Sequence, residues 1–172
     1  MINIKIREAV INDAAQIAKI HVDTWRCAYK NQIPDTYLAS LSIKKRTVNW
    51  SKQLANLSKG VFAIVAEVDE TVWGWCTFGL SRDKDVFKQT AELHGIYVHP
   101  SYIGKGLGTQ LMQYVINKLK EKGYQTIILW VLTSNEKTRK WYESKGWKLE
   151  GKTKIEHRDN FDLHESRYMI KL

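Results

Sequence analysis

HGIYVHPSYIGKGLGTQLM, residues 94–112, joins three unlike pieces: a β-branched and aromatic run, a proline, and glycines at 104, 106 and 108 that lead into apolar residues at helical spacing. The first piece reads as a strand and the last as a helix, so the glycines mark a strand-to-helix handover. Without Cβ atoms there, consecutive N–H groups can turn toward one anion beside the positive end of the helix dipole. The loop therefore reads as a pyrophosphate cradle, or else as a tight turn with no ligand. A Walker loop would need Gly-Lys followed by Ser or Thr, and a dinucleotide fold would need G-x-G-x-x-G; this stretch has G-x-G-x-G.

Reading outward toward the C-terminus, Leu107, Leu111, Met112, Val115, Ile116 and Leu119 form one apolar helical stripe that stops at Gly123, and TIILWVL (126–132) is the next strand. A helical segment from Asn135 to Lys145 ends at Gly146, and strand-like WKLEGKTKI and DLHESRYMIKL close the chain. Upstream, VFAIVAEV and TVWGWCTF flank a turn at Asp69 and Glu70, the pattern of an antiparallel hairpin. INIKI alternates like a half-buried strand, and residues 13–57 read as helical, capped at Asn12 or Asp13, interrupted at Pro34 and re-capped at Ser42. The resulting order, βααββ, βαβ, αββ, requires both a parallel pair and antiparallel hairpins. It implies a mixed α/β (α+β) sheet with helices on both faces, in one domain spanning residues 1–172.

The chain has 172 residues, is 44% hydrophobic and 26% charged, and carries a formal charge of +9. That length suffices for a core without disulfides or metal, and the composition excludes a disordered or fibrous chain. Cys27 and Cys76 lie in no metal-ligand spacing, the five histidines form no ligand cluster, and no apolar run has the length of a membrane span. A cytoplasmic protein with no metal is expected. The positive charge suits an anionic partner, but Lys and Arg are interleaved with acids and form no basic stripe, so nucleic acid is not the expected partner.

YVHPSYIGKGLG together with NEKTRKWYESKGW resembles the GNAT superfamily, the acetyl-CoA-dependent N-acetyltransferases. The motifs span Glu92 to Trp147, and the order of elements extends the likeness over nearly the whole chain. The resemblance implies a mostly antiparallel central sheet of seven strands, with helices on both faces and a parallel pair splayed at the cofactor. It also implies acetyl-CoA as cosubstrate, with the loop Ile103, Gly104, Lys105, Gly106, Leu107, Gly108 and Thr109 around its pyrophosphate. Ile103 stands where the family usually has Gln or Arg, which removes one polar side chain and leaves the backbone amides. By the same resemblance the strand Ile96, Tyr97 and Val98 lends backbone hydrogen bonds to the pantetheine arm. A local bulge would open that strand edge, and Gly95 is the candidate for it, or else a point of close packing.

Asn135 and Tyr142 are seven residues apart, two helical turns, and share a face. The resemblance assigns Asn135 to the pantetheine arm and Tyr142 to donating a proton to the departing thiolate; a phenol, protonated at neutral pH, can do this. Asn135 or Ser134 could also serve as helix cap. An amine nucleophile must lose a proton, and Glu92, eleven residues before Ile103, is the candidate base, directly or through a water chain. TWRCAYKNQIP resembles the segment that shapes the acceptor pocket, so Trp25 and Tyr29 are candidate substrate-binding residues, with the 79–90 loop as a lid. Aromatics four residues apart also fit a core. The expected activity is acetyl transfer to a primary amine of a small molecule or peptide by direct attack in a ternary complex, as monomer or homodimer. The alternative is an acetyl-CoA-binding regulatory module without turnover.

Overall fold

The computed structural model of the chain describes residues 2–158 and 160–172. Its elements are β1 (Lys5–Glu8), α1 (Ala14–Ala28), α2 (Asp35–Ser40), α3 (Ile43–Ala55), β2 (Val61–Val68), β3 (Thr71–Leu80), β4 (Thr90–Val98), α4 (Leu107–Glu121), β5 (Thr126–Leu132), α5 (Glu136–Ser144), β6 (Lys148–Arg158) and β7 (Phe161–Lys171). The strands form one seven-stranded sheet in the order β1-β2-β3-β4-β5-β7-β6. Every described pairing is antiparallel except β4 with β5. No described helix is long and apolar enough to cross a membrane.

Helices cover both faces because the central strands are apolar on both. Along β2, Ile64 and Ala66 belong to the cluster built on the α4 stripe, whereas Val65 between them joins Ile17, Ala18 and Ile20 of α1 and Trp50 of α3 on the other side. Leu107, Leu111, Met112, Val115 and Leu119 are buried along α4. Burying each contributes roughly 1.5–3 kcal/mol, so this stripe fixes the helix that follows the glycine loop. β6 is exposed almost throughout, and Lys148, Lys152 and Lys154 on this edge strand discourage pairing with another chain.

Residues 13–57 form three helices rather than the two expected, the short α2 lying between Pro34 and Ser42. A turn in which Ile33 N donates to the Tyr29 carbonyl and Asn31 takes a φ of 64° precedes Pro34, and Ser42 caps α3 by accepting from Lys45 N at 3.2 Å. Asp13 is the N-cap residue of α1, but its carboxylate is spent on Arg7 and on Val10 N. The first strand lies at Lys5–Glu8, later than the INIKI alternation suggests.

Two irregularities of β4 set up the functional face. β4 and β5 pair only from Thr90–Leu93 to Thr126–Leu129; beyond that, β4 stays with β3 while β5 continues along β7 as far as Leu132. The parallel pair is therefore splayed, and the edge of β4 after Leu93 has no strand partner on that side among the described residues. Against β3, the register steps from Phe78↔Leu93 to Thr77↔Gly95, which makes His94 the extra residue of a bulge. The bulge falls on His94 and not on Gly95, and the His94 ring Nε2 lies 2.9 Å from the Leu80 carbonyl oxygen. Gly95 instead provides close packing: a Cβ there would lie 3.1 Å from the Tyr97 ring and 3.7 Å from that of Trp75.

Candidate active site

The glycine loop leaves β4 through a short 3-10 turn, Pro100–Tyr102, and enters α4 at its N-cap, Gly106. Gly104 and Gly106 have φ of 83° and 90°, a left-handed conformation that favours glycine. A Cβ at Gly104 would meet nothing within 4 Å, and one at Gly106 would meet only the end of Ile4 at 4.0 Å, so one side of the loop is open. Among the described residues the N–H groups of Gly104, Gly106, Leu107, Gly108 and Thr109 have no backbone acceptor. Five free donors at the positive end of a 15-residue helix are an arrangement that can hold an anion. Gly108 serves a different need: its Cβ would lie 3.3 Å from the Trp141 indole of α5, so its smallness lets the two helices close on the cleft. Ile103 caps the 3-10 turn with its side chain half exposed.

On the far side of the splay, Asn135 is the N-cap of α5 and accepts from Thr138 N at 3.2 Å, while Ser134 donates to Gln32 and is not the cap. Capping uses Asn135 Oδ1; its Nδ2 has no partner among the described residues. Two turns on, Tyr142 is buried. Burial first, and then the neighbouring Tyr97 and Cys76, push its phenol far above the ordinary value. It holds its proton at every working pH and is a donor, not a nucleophile. Burial likewise raises the Cys76 thiol, the opposite of what an acyl-cysteine mechanism needs.

Glu92 is 1% exposed on the paired half of β4. Its Oε2 accepts from Arg82 N at 2.8 Å, and its Oε1 from Arg82 Nε at 3.0 Å and from Arg82 Nη2. The 81–89 segment that carries Arg82 is not a free lid. Asp83 and Asp85 receive the Arg167 guanidinium at 2.8 Å, Asp83 also accepts from Trp130 Nε1 at 3.0 Å, and Asp85 meets Lys152. Arg167, 1% exposed on β7, also holds Glu150 of β6, and the loop is fastened to four strands, at Glu92 of β4, Trp130 of β5, Lys152 of β6 and Arg167 of β7. Phe87 projects from it, 87% exposed.

Trp25 is buried among Val22, Ile33, Leu38 and Leu132, while Tyr29, half-buried, meets it edge-on at 5.0 Å. Tyr97, on the splayed part of β4, stacks on Trp75 at 4.6 Å and on His21 at 5.4 Å. Burial pushes the Tyr29 phenol up, and the neighbouring Tyr97 and Tyr142 add to it. His21 is buried among Trp25, Trp50, Trp75 and Tyr97; desolvation, and then Arg46, carry its imidazole down to about 3, and neither ring nitrogen has a partner. Arg46, Arg82 and Glu165, the last acting on both Tyr29 and Tyr97, are residues of this region that the sequence reading does not single out. Only the third dimension brings them together, from α3, a loop and β7. Among the described residues no group of three or more His, Cys, Asp or Glu is placed to hold a metal ion.

The splayed parallel pair thus has a loop of free amides on one side and a buried phenol on the other. Residues 16–147 match the acetyltransferase (GNAT) family, and the chain belongs to it. It is thereby an acyl-CoA-dependent N-acetyltransferase. The chain is 32% identical to the uncharacterized N-acetyltransferase YuaI of Bacillus subtilis, over 77% of this chain and 73% of that one. It is also 32% identical to the L-amino acid N-acyltransferase MnaT of Escherichia coli, over 51% of each chain. Its fold matches that of the PaiA N-acetyltransferase of Thermoplasma acidophilum, solved in complex with coenzyme A, with a TM-score of 0.72 at 22% identity over 99% of both chains.

Proposed function

We propose that the protein transfers the acetyl group of acetyl-CoA to the primary amine of a small acceptor by direct attack in a ternary complex. The observation that carries this reading is the parting of β4 from β5 between the Gly104–Thr109 amides and Tyr142. Those amides bind the pyrophosphate, with Lys105 adding charge. The free edge of β4 at Ile96, Tyr97 and Val98 pairs with the pantetheine arm, and Asn135 Nδ2 donates to it from α5. Acetyl-CoA supplies an acetyl thioester, already activated toward an amine. Backbone N–H groups of the β4 edge polarise the acetyl carbonyl and hold the negative charge that develops there. Tyr142 keeps its proton at Oη, ready for the sulfur as negative charge grows on it.

Glu92 is the base for the acceptor. A carboxylate has about four lone-pair sites, of which Arg82 fills three, leaving one for a water that relays the amine proton. Trp25 and Tyr29 line the acceptor's approach. That a relative is named for L-amino acids makes free amino acids the first acceptors to try. The test is acetyl transfer from acetyl-CoA across a panel of amines, read by mass of the product. N-acetylated product that disappears in Tyr142→Phe while coenzyme A still binds supports the reading; coenzyme A binding with no product from any amine contradicts it.

A further inference from the structure

Arg46 differs from the other six of the chain's seven arginines. Each of those donates to a carboxylate, a backbone carbonyl or a hydroxyl. Arg46, half-buried on α3, has no side-chain hydrogen bond or ion pair among the described residues. Its guanidinium carbon lies 5.7 Å from the centre of the Trp25 ring. Stacking on an indole stabilises and orients a guanidinium without using any of its five N–H donors. A planar fork held in place with its donors unspent is built for a carboxylate.

The surroundings place that fork on the acceptor's side. Trp25 leads to Tyr29 at 5.0 Å, and through His21, 5.6 Å away, to Tyr97 of the splayed strand at 5.4 Å. Arg46 also acts on both the His21 imidazole and the Tyr97 phenol, which puts its charge within reach of the residues that ring the transfer point. The formal charge of +9 disfavours a polyamine and favours a ligand that brings a negative group.

We propose that Arg46 is the anchor for a carboxylate on the acceptor, so that the protein acetylates free amino acids in preference to simple amines, polyamines or amino acids whose carboxyl is blocked. The proposal rests on the acetyl-transfer reading above and adds the acceptor class and the residue that selects it.

Matched pairs test it: L-methionine against L-methioninamide, and L-phenylalanine against L-phenylalaninamide, each with acetyl-CoA and the full chain. The amide's amine loses its proton more readily, so chemistry alone favours the amide. Wild type is expected to prefer the free acid by about tenfold or more in kcat/KM. Arg46→Gln should remove that preference through the KM of the acid, leaving the amide and the KM of acetyl-CoA unchanged, and Arg46→Lys should restore part of it. Equal use of acid and amide by wild type, or an equal loss on both in Arg46→Gln, overturns the proposal. If Arg46→Gln does not fold, the wild-type ratio and Arg46→Lys decide. If no amine is acetylated, the acetyl-transfer reading fails by itself. Calorimetric titration of coenzyme A-saturated protein with the same pairs then reads the anchor: tighter binding of the acid, lost in Arg46→Gln, supports it, and no difference overturns it.

Discussion

Glu92 and Arg82 are joined by three hydrogen bonds across the hairpin opening, one from the Arg82 backbone N–H and two from its guanidinium, although Glu92 is buried and Arg82 is largely exposed. The pair does two things: it closes the 81–89 loop over the start of β4, and it fills most of the carboxylate's capacity. Glu92→Gln should therefore change both stability and rate. Hydrogen bonds to a charged group are worth about 1.5–3 kcal/mol, reduced here because solvent screens the guanidinium. A loss of about 1–2 kcal/mol in denaturant unfolding is expected. If Glu92 relays the amine proton, the variant's rate should fall most at low pH, where free amine is scarce. A pH profile parallel to wild type would leave Glu92 a purely structural partner of Arg82.

Tyr142→Phe keeps the ring that packs on Trp141 and Trp147 and removes only the hydroxyl. Stability should change by less than about 1 kcal/mol, while kcat falls about 10²-fold or more. An unchanged kcat with saturating substrates would remove Tyr142 from the proton-donor role.

His21 predicts how stability depends on acid. In the unfolded chain its imidazole takes a proton near 6.5, but in the folded protein only near 3. The unfolded state binds the extra proton first, so folding loses stability as pH falls through that window and gains nothing above about 6.5. The loss reaches up to about 5 kcal/mol at the acid end. Urea melts of wild type and His21→Phe at pH 7.5 and pH 4 should show the difference between the two proteins shifting in favour of the variant at low pH. A difference that stays constant with pH would contradict a buried, neutral His21.

The glycines divide into those that bind and those that fold. Gly104→Ala meets no neighbour but must adopt a positive φ, so it should cost about 1–2 kcal/mol and weaken coenzyme A binding. Gly79→Ala has the same backbone difficulty at φ 143°, and its Cβ would also overlap the Gly60 carbonyl and lie 2.9 Å from Val61 Cα. It should destabilise by several kcal/mol, or prevent folding, with no specific effect on the cofactor. Thermal melts of the two variants, with and without coenzyme A, separate these outcomes.

The strand-to-helix handover was legible because glycine, proline and helical periodicity are local signals, and so was the helix that carries Tyr142, with Asn135 at its N-cap and not within it. The bulge was not. Period-two alternation in ELHGIYV names the faces of a strand but cannot say which residue is surplus, and Gly95, the conspicuous residue, proves to be room for two aromatic rings while His94 takes the bulge. The 81–89 segment reads as a free exposed loop because its anchors Trp130, Lys152 and Arg167 lie 47, 67 and 84 residues from their partners, on strands that meet it only in the folded sheet. Arg46 in SIKKR looks like any solvated cation, and only its contact with Trp25, and the lack of an acidic neighbour in hydrogen-bond reach among the described residues, distinguish it.

The most direct measurement is calorimetric titration of the purified protein with acetyl-CoA and coenzyme A, with Gly106→Glu as control, since a side chain carrying negative charge at that left-handed N-cap would oppose a diphosphate. The account predicts stoichiometric binding of both ligands by wild type, and its loss in a control that still unfolds cooperatively. Absence of binding to wild type, or equal binding by the control, would mean that the five free amides of the loop do not hold the cofactor, and the proposed mechanism would lose its foundation.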